Sequence, residues 1–281
     1  MTKNTRTKET VRARMAITGE NYLTAYRALF ETVKLTSPWF QLNEILDGGY
    51  RPGLHTIAAR PAVGKTLVSQ ALALHFPGNV LYVTREMLPS EFWQRIERLN
   101  GAYGTQHLFE KPEKLANLQQ RVFVTEGETS RASILDTYLD ALREEHQYRQ
   151  YTAVFFDYLQ ILGTHSRKAD LDKISYELKK LAVDLNIPVF VTALLNRSLD
   201  DTVPPTISNM RESSAVVQDS DTVTVLSPGL AQGKRTYYAK DFYETELIPQ
   251  LKLNVEKNRY GRTGLVCVEM DKLFSEQDNL L

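Results

Sequence analysis

The chain has 281 residues, 42% of them hydrophobic and 24% charged, enough to bury one large core or one core with an appendage. Thirty-four basic residues balance thirty-four acidic ones, so no global positive field marks a protein that coats nucleic acid, although a few loops can still supply phosphate contacts. One cysteine, Cys267, excludes an internal disulfide and paired-cysteine metal sites, and the five histidines show no metal-ligand spacing. No run approaches the ~18 apolar residues of a membrane helix and no hydrophobic signal region opens the chain, so a cytoplasmic protein with no membrane partner is expected.

In chain order, the polar and basic first ten residues, "MTKNTRTKET", are expected to be mobile. From Val11 to Val33, Met15, Ile17, Tyr22, Leu23, Tyr26, Leu29 and Phe30 recur at roughly helical intervals, interrupted at Gly19. This predicts an N-terminal helical segment over residues 1–35, which either caps the main core or docks on a neighbouring subunit. Residues 36–281 then form the main domain.

After the turn-rich "LDGGYRPG", strands and helices alternate. Strands are predicted over Leu54–Ala59, Asn79–Thr84, Arg121–Thr125, Ala153–Asp157, Pro188–Ala193 and Thr222–Leu226. Helices are predicted over Lys65–His75, Pro89–Asn100, Arg131–Glu145 and Leu171–Leu185. Such alternation implies an α/β domain with a largely parallel sheet covered on both faces. Near the C-terminus, "QLKLNVEKN" and "GLVCVEMD" flank the turn residues "RYGRT" and read as an antiparallel hairpin.

The first strand runs into Ala59, Arg60, Pro61, Ala62, Val63, Gly64, Lys65 and Thr66, which approximates the phosphate-loop pattern G-x-x-x-x-G-K-[ST] with alanine in place of the first glycine. The chemistry needs backbone N–H groups curled around phosphates at a helix start, a lysine against the outer phosphates and a hydroxyl on Mg²⁺. A lone Gly-Lys-Thr is a frequent accident, and Asp157 at the end of "TAVFFD" could be a turn residue. Together, a strand-loop-helix phosphate site and a strand-end acid able to hold the water shell of Mg²⁺ predict nucleotide binding. Glu86, at the end of "NVLYVTRE" and one strand over if sheet order follows chain order, is either a helix-start charge or a group that orients water.

Six blocks in order, "GGYRPGLHTIAARPAVGKT", "VTREMLPSEFWQRI", "VFFDYLQIL", "ELKKLAVDLNIPVFVTALLNR", "PPTISNMRESSAVVQDSDTV" and "EKNRYGRTG", resemble the RecA-like motor domain of the hexameric DnaB-type replicative DNA helicases. The resemblance runs from about Asn43 to Gly264. It implies a P-loop ATPase that uses ATP and Mg²⁺, assembles as a homo-oligomeric, hexameric ring and moves along single-stranded DNA. A replication initiator or primase is the further partner the family suggests. Residue by residue, it implies that Lys65 and Thr66 bind phosphate and Mg²⁺, that Asp157 is the second metal-side acid and that Glu86 activates water. Lys257 and Arg259 match the basic pair that reaches a neighbouring subunit's nucleotide. Arg211, Glu212 and Ser214 match the pore loop that tracks DNA.

The chain also departs from the family pattern. Leu194 replaces the glutamine that senses the γ-phosphate, and a leucine offers no hydrogen bond to relay. Val217 replaces an acid, Ser214 a glycine and Arg85 an apolar residue. A counterpart of the family's collar domain is not expected ahead of the motor, where the helical segment is placed like its linker helix. A minimal motor of this kind is expected of a plasmid, a phage or another compact replicon. The alternative is an ATP-binding assembly or regulatory module of the same fold that unwinds weakly, with a recombinase or clock-type relative third.

Overall fold

Seven strand residues in a row, Gly53–Ala59 (β1), are all buried, because this strand is covered on both faces and flanked by two partners. The chain was studied as a computed structural model that describes residues 3–19, 21–22, 34–99, 103, 105, 111–126, 132–159, 168–195, 203–210, 214–236 and 243–275. It divides into two units, Met1–Lys34 and Leu35–Leu281. The first contains helix α1 (Lys3–Thr18), which takes in residues 3–10 of the opening segment expected to be mobile. The helix ends at Thr18, just before the Gly19 at which the apolar pattern is interrupted, and residues 20 and 23–33 lie outside the described residues.

In the second unit, α2 (Phe40–Ile45) precedes β1; α3 (Lys65–His75) leads to β2 (Asn79–Thr84). Next come α4 (Pro89–Arg98), α5 (Pro112–Arg121) and β3 (Val122–Thr125), then α6 (Ala132–Arg149) and β4 (Tyr151–Asp157). The chain continues through α7 (Lys168–Leu185), β5 (Pro188–Leu194), α8 (Ser214–Asp219), β6 (Thr222–Thr236), β7 (Tyr243–Asn258) and β8 (Gly264–Glu269). Arg121, predicted to open a strand, instead closes α5, where its guanidinium reaches the carbonyls of Leu74, Phe76 and Gly78.

These strands form one eight-stranded sheet in the order β3-β2-β4-β5-β1-β6-β7-β8. The first six are parallel to one another, while β6–β7 and β7–β8 are antiparallel because short connections replace crossover helices there. The RecA-like α/β prediction holds, as does the hairpin around "RYGRT". Strand β6 runs past the predicted Leu226 to Thr236, with its far half paired only to β7. Sheet order does not follow chain order: β5 and β4 stand between β1 and β2, so Glu86 is not on the strand next to the phosphate loop.

Side chains alternate between two apolar layers. Val80, Tyr82, Phe155 and Phe190 face α3, whereas Leu81, Val83, Val154, Phe156 and Val191 face α6 and α7. On the α3 face an aromatic row crosses the sheet, with Phe155 stacked on Phe190 at 4.5 Å and on Tyr82 at 5.7 Å between ring centres. His55 joins this row, 5.1 Å from Phe190 and 4.9 Å from Tyr50.

His55 Nε2 lies 2.7 Å from the Arg51 carbonyl, which can only accept, so Nε2 carries the proton and Nδ1 accepts from Thr222 Oγ1 at 2.9 Å. Burial lowers the pKa of this imidazole from 6.5 to about 4. The unfolded chain therefore binds the extra proton first on acidification. The contribution is fully present above about pH 6.5 and is lost as pH falls toward 4, a cost of about 3 kcal/mol if the whole shift is realised. Denaturant titrations across that window should give a shallower loss of stability for His55→Gln than for the parent; equal slopes would contradict this.

Candidate nucleotide site

The candidate phosphate site is built where β1 ends and α3 begins. Ala59 is a buried strand residue paired with Leu194 and Leu226, so the position needs no glycine, which accounts for the departure from the general pattern. The chain then turns through Ala62 at φ 63° and Gly64 at φ 115°. A Cβ on Gly64 would meet nothing closer than 3.9 Å, so backbone conformation rather than space demands glycine there. Helix α3 starts at Lys65 with no side chain capping it. Its first N–H groups and positive dipole end thus face the loop, an arrangement that favours an anion.

Lys65 and Thr66 follow at once, each only 7% exposed. An apolar groove of about 690 Å³ continues from Pro61, Ala62 and Val63 to Pro228, Leu230 and Leu251, of a size to take the nucleoside part of a nucleotide.

Helix α3 crosses the sheet toward β2, with Ser69 Oγ 2.7 Å from the Tyr82 hydroxyl, and thereby closes the gap that sheet order leaves between loop and Glu86. Glu86 lies within hydrogen-bonding reach of Thr66 and feels Lys65, Arg95 and Asp157. Loss of surrounding water, then the Asp157 carboxylate, raise its pKa above the usual glutamate value, and Lys65 and Arg95 pull the other way. Asp157 is fully buried at the end of β4. The Tyr82 hydroxyl donates to its Oδ2 at 2.9 Å and Thr192 Oγ1 to its Oδ1 at 2.6 Å, leaving further lone pairs to accept from water. The Asp157–Tyr158 peptide is cis.

Among the described residues no group of three or more His, Cys, Asp or Glu forms a preformed metal cage. One hydroxyl and one fixed carboxylate beside a phosphate loop suit Mg²⁺, which keeps waters and leans on substrate phosphates rather than on an all-protein cage. Tyr82 and Thr192, which hold Asp157, were not singled out from sequence. Their signal is a hydroxyl within an otherwise apolar buried strand.

Lys257 and Arg259 are elsewhere. Lys257 is level with Val223 and hence with Thr56, near the start of β1. Arg259 N donates to the Asp221 carbonyl at 2.9 Å, and Asp221 N in turn to the Leu54 carbonyl at 2.7 Å. Five residue-to-residue steps lead from Leu54 to Ala59, about 17 Å along β1. The basic pair therefore sits at the end of the sheet opposite its own phosphate loop. Lys257 Nζ donates to the carbonyls of Val217 and Gln218 at 2.6 and 2.9 Å, and Arg259 Nη2 to that of Gln218 at 2.5 Å. Both cations thus cap the C-terminal end of α8, where carbonyls and the helix dipole favour positive charge. Burial, then the neighbouring Arg259, lower the Lys257 pKa.

Ser214 is the first residue of α8, and Arg211 and Glu212 lie outside the described residues. Leu194 ends β5, between the strands that carry the phosphate loop and Asp157. No helix among the described residues is long and apolar enough to cross a membrane.

Compared with known proteins, residues 35–279 match the family described as the DnaB-like helicase C-terminal domain. A "Probable plasmid replicative DNA helicase" of Chlamydia psittaci is 30% identical over 227 residues, 73% of this chain and 46% of that protein. The replicative DNA helicase DnaB of Geobacillus stearothermophilus is 26% identical over 272 residues, 89% of this chain and 57% of that one. The chain spans about half the length of the curated relatives it matches. Among solved structures, a DnaB-like replicative helicase described with its interactions with primase superposes with a TM-score of 0.63 at 22% identity, covering 94% of this chain and 69% of the other.

Proposed function

The chain belongs to the DnaB-like helicase C-terminal domain family, and on that premise we propose that it is an ATP-driven motor that moves along single-stranded DNA in replication. The observation that carries this reading is the division of the site. Phosphate loop, Glu86 and Asp157 converge at one end of the sheet, and Lys257 and Arg259 lie at the other. A second copy in head-to-tail contact completes the site, and repetition of such a contact closes a ring, for which a hexamer is the family's form.

In this reading the loop N–H groups and Lys65 hold the phosphates of ATP, and Thr66 and Asp157 hold Mg²⁺, which supplies positive charge to the phosphate oxygens. Glu86 accepts the proton of the attacking water. Lys257 and Arg259 of the adjacent copy neutralise charge that develops on the terminal phosphate. Arg211, Glu212 and Ser214 grip the DNA backbone, and α8 joins that grip to the basic pair through the carbonyls of Val217 and Gln218. The setting is cytoplasmic, on a plasmid, phage or other compact replicon, with an initiator or primase as a further partner. Segment 1–35 serves as a linker between copies.

Leu194 favours a second reading, an ATP-dependent assembly module, because a hydrocarbon side chain stands between the loop and Asp157 strands where a relay would need a polar group. ATP turnover with and without single-stranded DNA separates the two. DNA-stimulated hydrolysis that Lys65→Ala abolishes supports the motor; nucleotide binding without turnover at any DNA concentration supports the module, and Leu194→Gln then tests the missing relay.

A further inference from the structure

Asp221 is a fully buried carboxylate at the start of β6, outside the residues that would touch nucleotide or DNA. Its Oδ2 accepts from Leu54 N at 2.8 Å and from Lys179 Nζ of α7. Its Oδ1 accepts from the Tyr260 hydroxyl at 3.2 Å and lies 3.4 Å from Arg259 Nη1. The backbone of Asp221 is tied on both sides, to Leu54 and to Arg259. The fold makes room for this carboxylate: a Cβ at Gly53 would collide with Asp221 Oδ2. A buried anion held by one N–H, one hydroxyl and two cations is costly to assemble. Two of its partners, Arg259 and Tyr260, come from the segment that carries the basic pair.

Resting on the trans-acting role of Arg259 given above, we propose that Asp221 is the positioning residue for that arginine: its carboxylate and carbonyl fix where the guanidinium leaves the subunit, so the charge reaches the neighbouring copy's phosphate pre-oriented. A long side chain 44% exposed just past the end of β7 samples many rotamers unless its far end is tied. The main-chain bond to the Asp221 carbonyl fixes the Arg259 backbone, and the contact at 3.4 Å biases the guanidinium without saturating its five donors, so part of the fork stays available. The defect of an altered Asp221 must therefore appear in the site of the neighbouring copy, not in its own.

The test is Asp221→Asn in the 281-residue chain, which keeps size and the acceptor for Leu54 N–H but removes the charge that holds Arg259. DNA-free turnover is expected to fall on the order of a hundredfold in kcat with KM little changed. Mixing Asp221→Asn with Lys65→Ala should restore turnover. The Asp221→Asn copy keeps an intact phosphate loop and the Lys65→Ala copy an intact Arg259, so about a quarter of the interfaces in an equal mixture are complete. The mixture of Arg259→Ala with Lys65→Ala is the control.

Recovery in both mixtures supports the proposal. Recovery in the control but not with Asp221→Asn, or undiminished turnover of Asp221→Asn by itself, overturns it and leaves the trans reading standing. Recovery in neither overturns the trans reading and the proposal with it. Should Asp221→Asn fail to fold, Tyr260→Phe, which loosens the same carboxylate, is expected to show a smaller loss, complemented in the same way. A loss that is not complemented there while the control recovers overturns the proposal.

Discussion

Arg259→Ala is expected to lower steady-state ATP turnover of the assembled protein by about a thousandfold while leaving nucleotide binding by each copy's own phosphate loop intact. The expectation follows from where the side chain sits. It cannot serve its own loop at the far end of the sheet, and its side chain is 44% exposed although its guanidinium touches Asp221 and Gln218. A guanidinium keeps its charge at any accessible pH and presents a fork that matches two phosphate oxygens, so Arg259→Lys should recover charge but not geometry and fall between the two. The fold should survive, because Lys179, Tyr260 and Leu54 N–H still satisfy Asp221 when Arg259 is shortened. Turnover measured beside nucleotide affinity and particle mass checks this; unchanged turnover at unchanged mass would show that Arg259 is a surface charge.

Glu86→Gln is the second large effect, a loss of about a hundredfold to ten-thousandfold in kcat with ATP still bound. Glutamine matches glutamate in shape and keeps a hydrogen bond to Thr66, but it cannot accept a proton. In the parent, desolvation and the Asp157 carboxylate hold the Glu86 pKa above the ordinary glutamate value. Turnover should therefore decline on acidification starting above the range of a solvated glutamate, as Glu86 takes up the proton that disables it as a base. A pH profile of kcat tests the sign. A profile flat through the glutamate range in the parent, or a Glu86→Gln protein that turns over normally, would remove Glu86 from the chemistry.

Much of the fold was legible because its strands are covered on both faces. "TAVFFD" and "PVFVTAL" carry apolar residues at consecutive positions over strand length, as a doubly covered sheet requires, and the helices between them show apolar residues three and four apart. Helix α5 was missed because "PEKLANLQQR" is mostly polar and buries a single residue, Leu118. Sheet order was illegible for a different reason. The first crossover carries the chain past two places that β4 and β5 fill later, and nothing local in "GKTLVSQALALHF" says how far it travels.

The candidate site divides along the same line. Loop, lysine and threonine are adjacent in sequence, so their grouping could be read. The hydroxyls of Tyr82 and Thr192 on Asp157, and the convergence of Lys179, Leu54 and Tyr260 on Asp221, join residues far apart in the chain that only strand register and the packing of α7 on the sheet bring together.

The most direct test is strand separation. With ATP and Mg²⁺, the 281-residue chain should displace one strand of a forked duplex that carries a single-stranded tail, and Lys65→Ala, Glu86→Gln and Arg259→Ala should each abolish it. Displacement that depends on ATP and on all three residues is the predicted result; an assembled, ATP-hydrolysing protein that leaves the duplex intact would contradict the motor and leave an assembly module in its place.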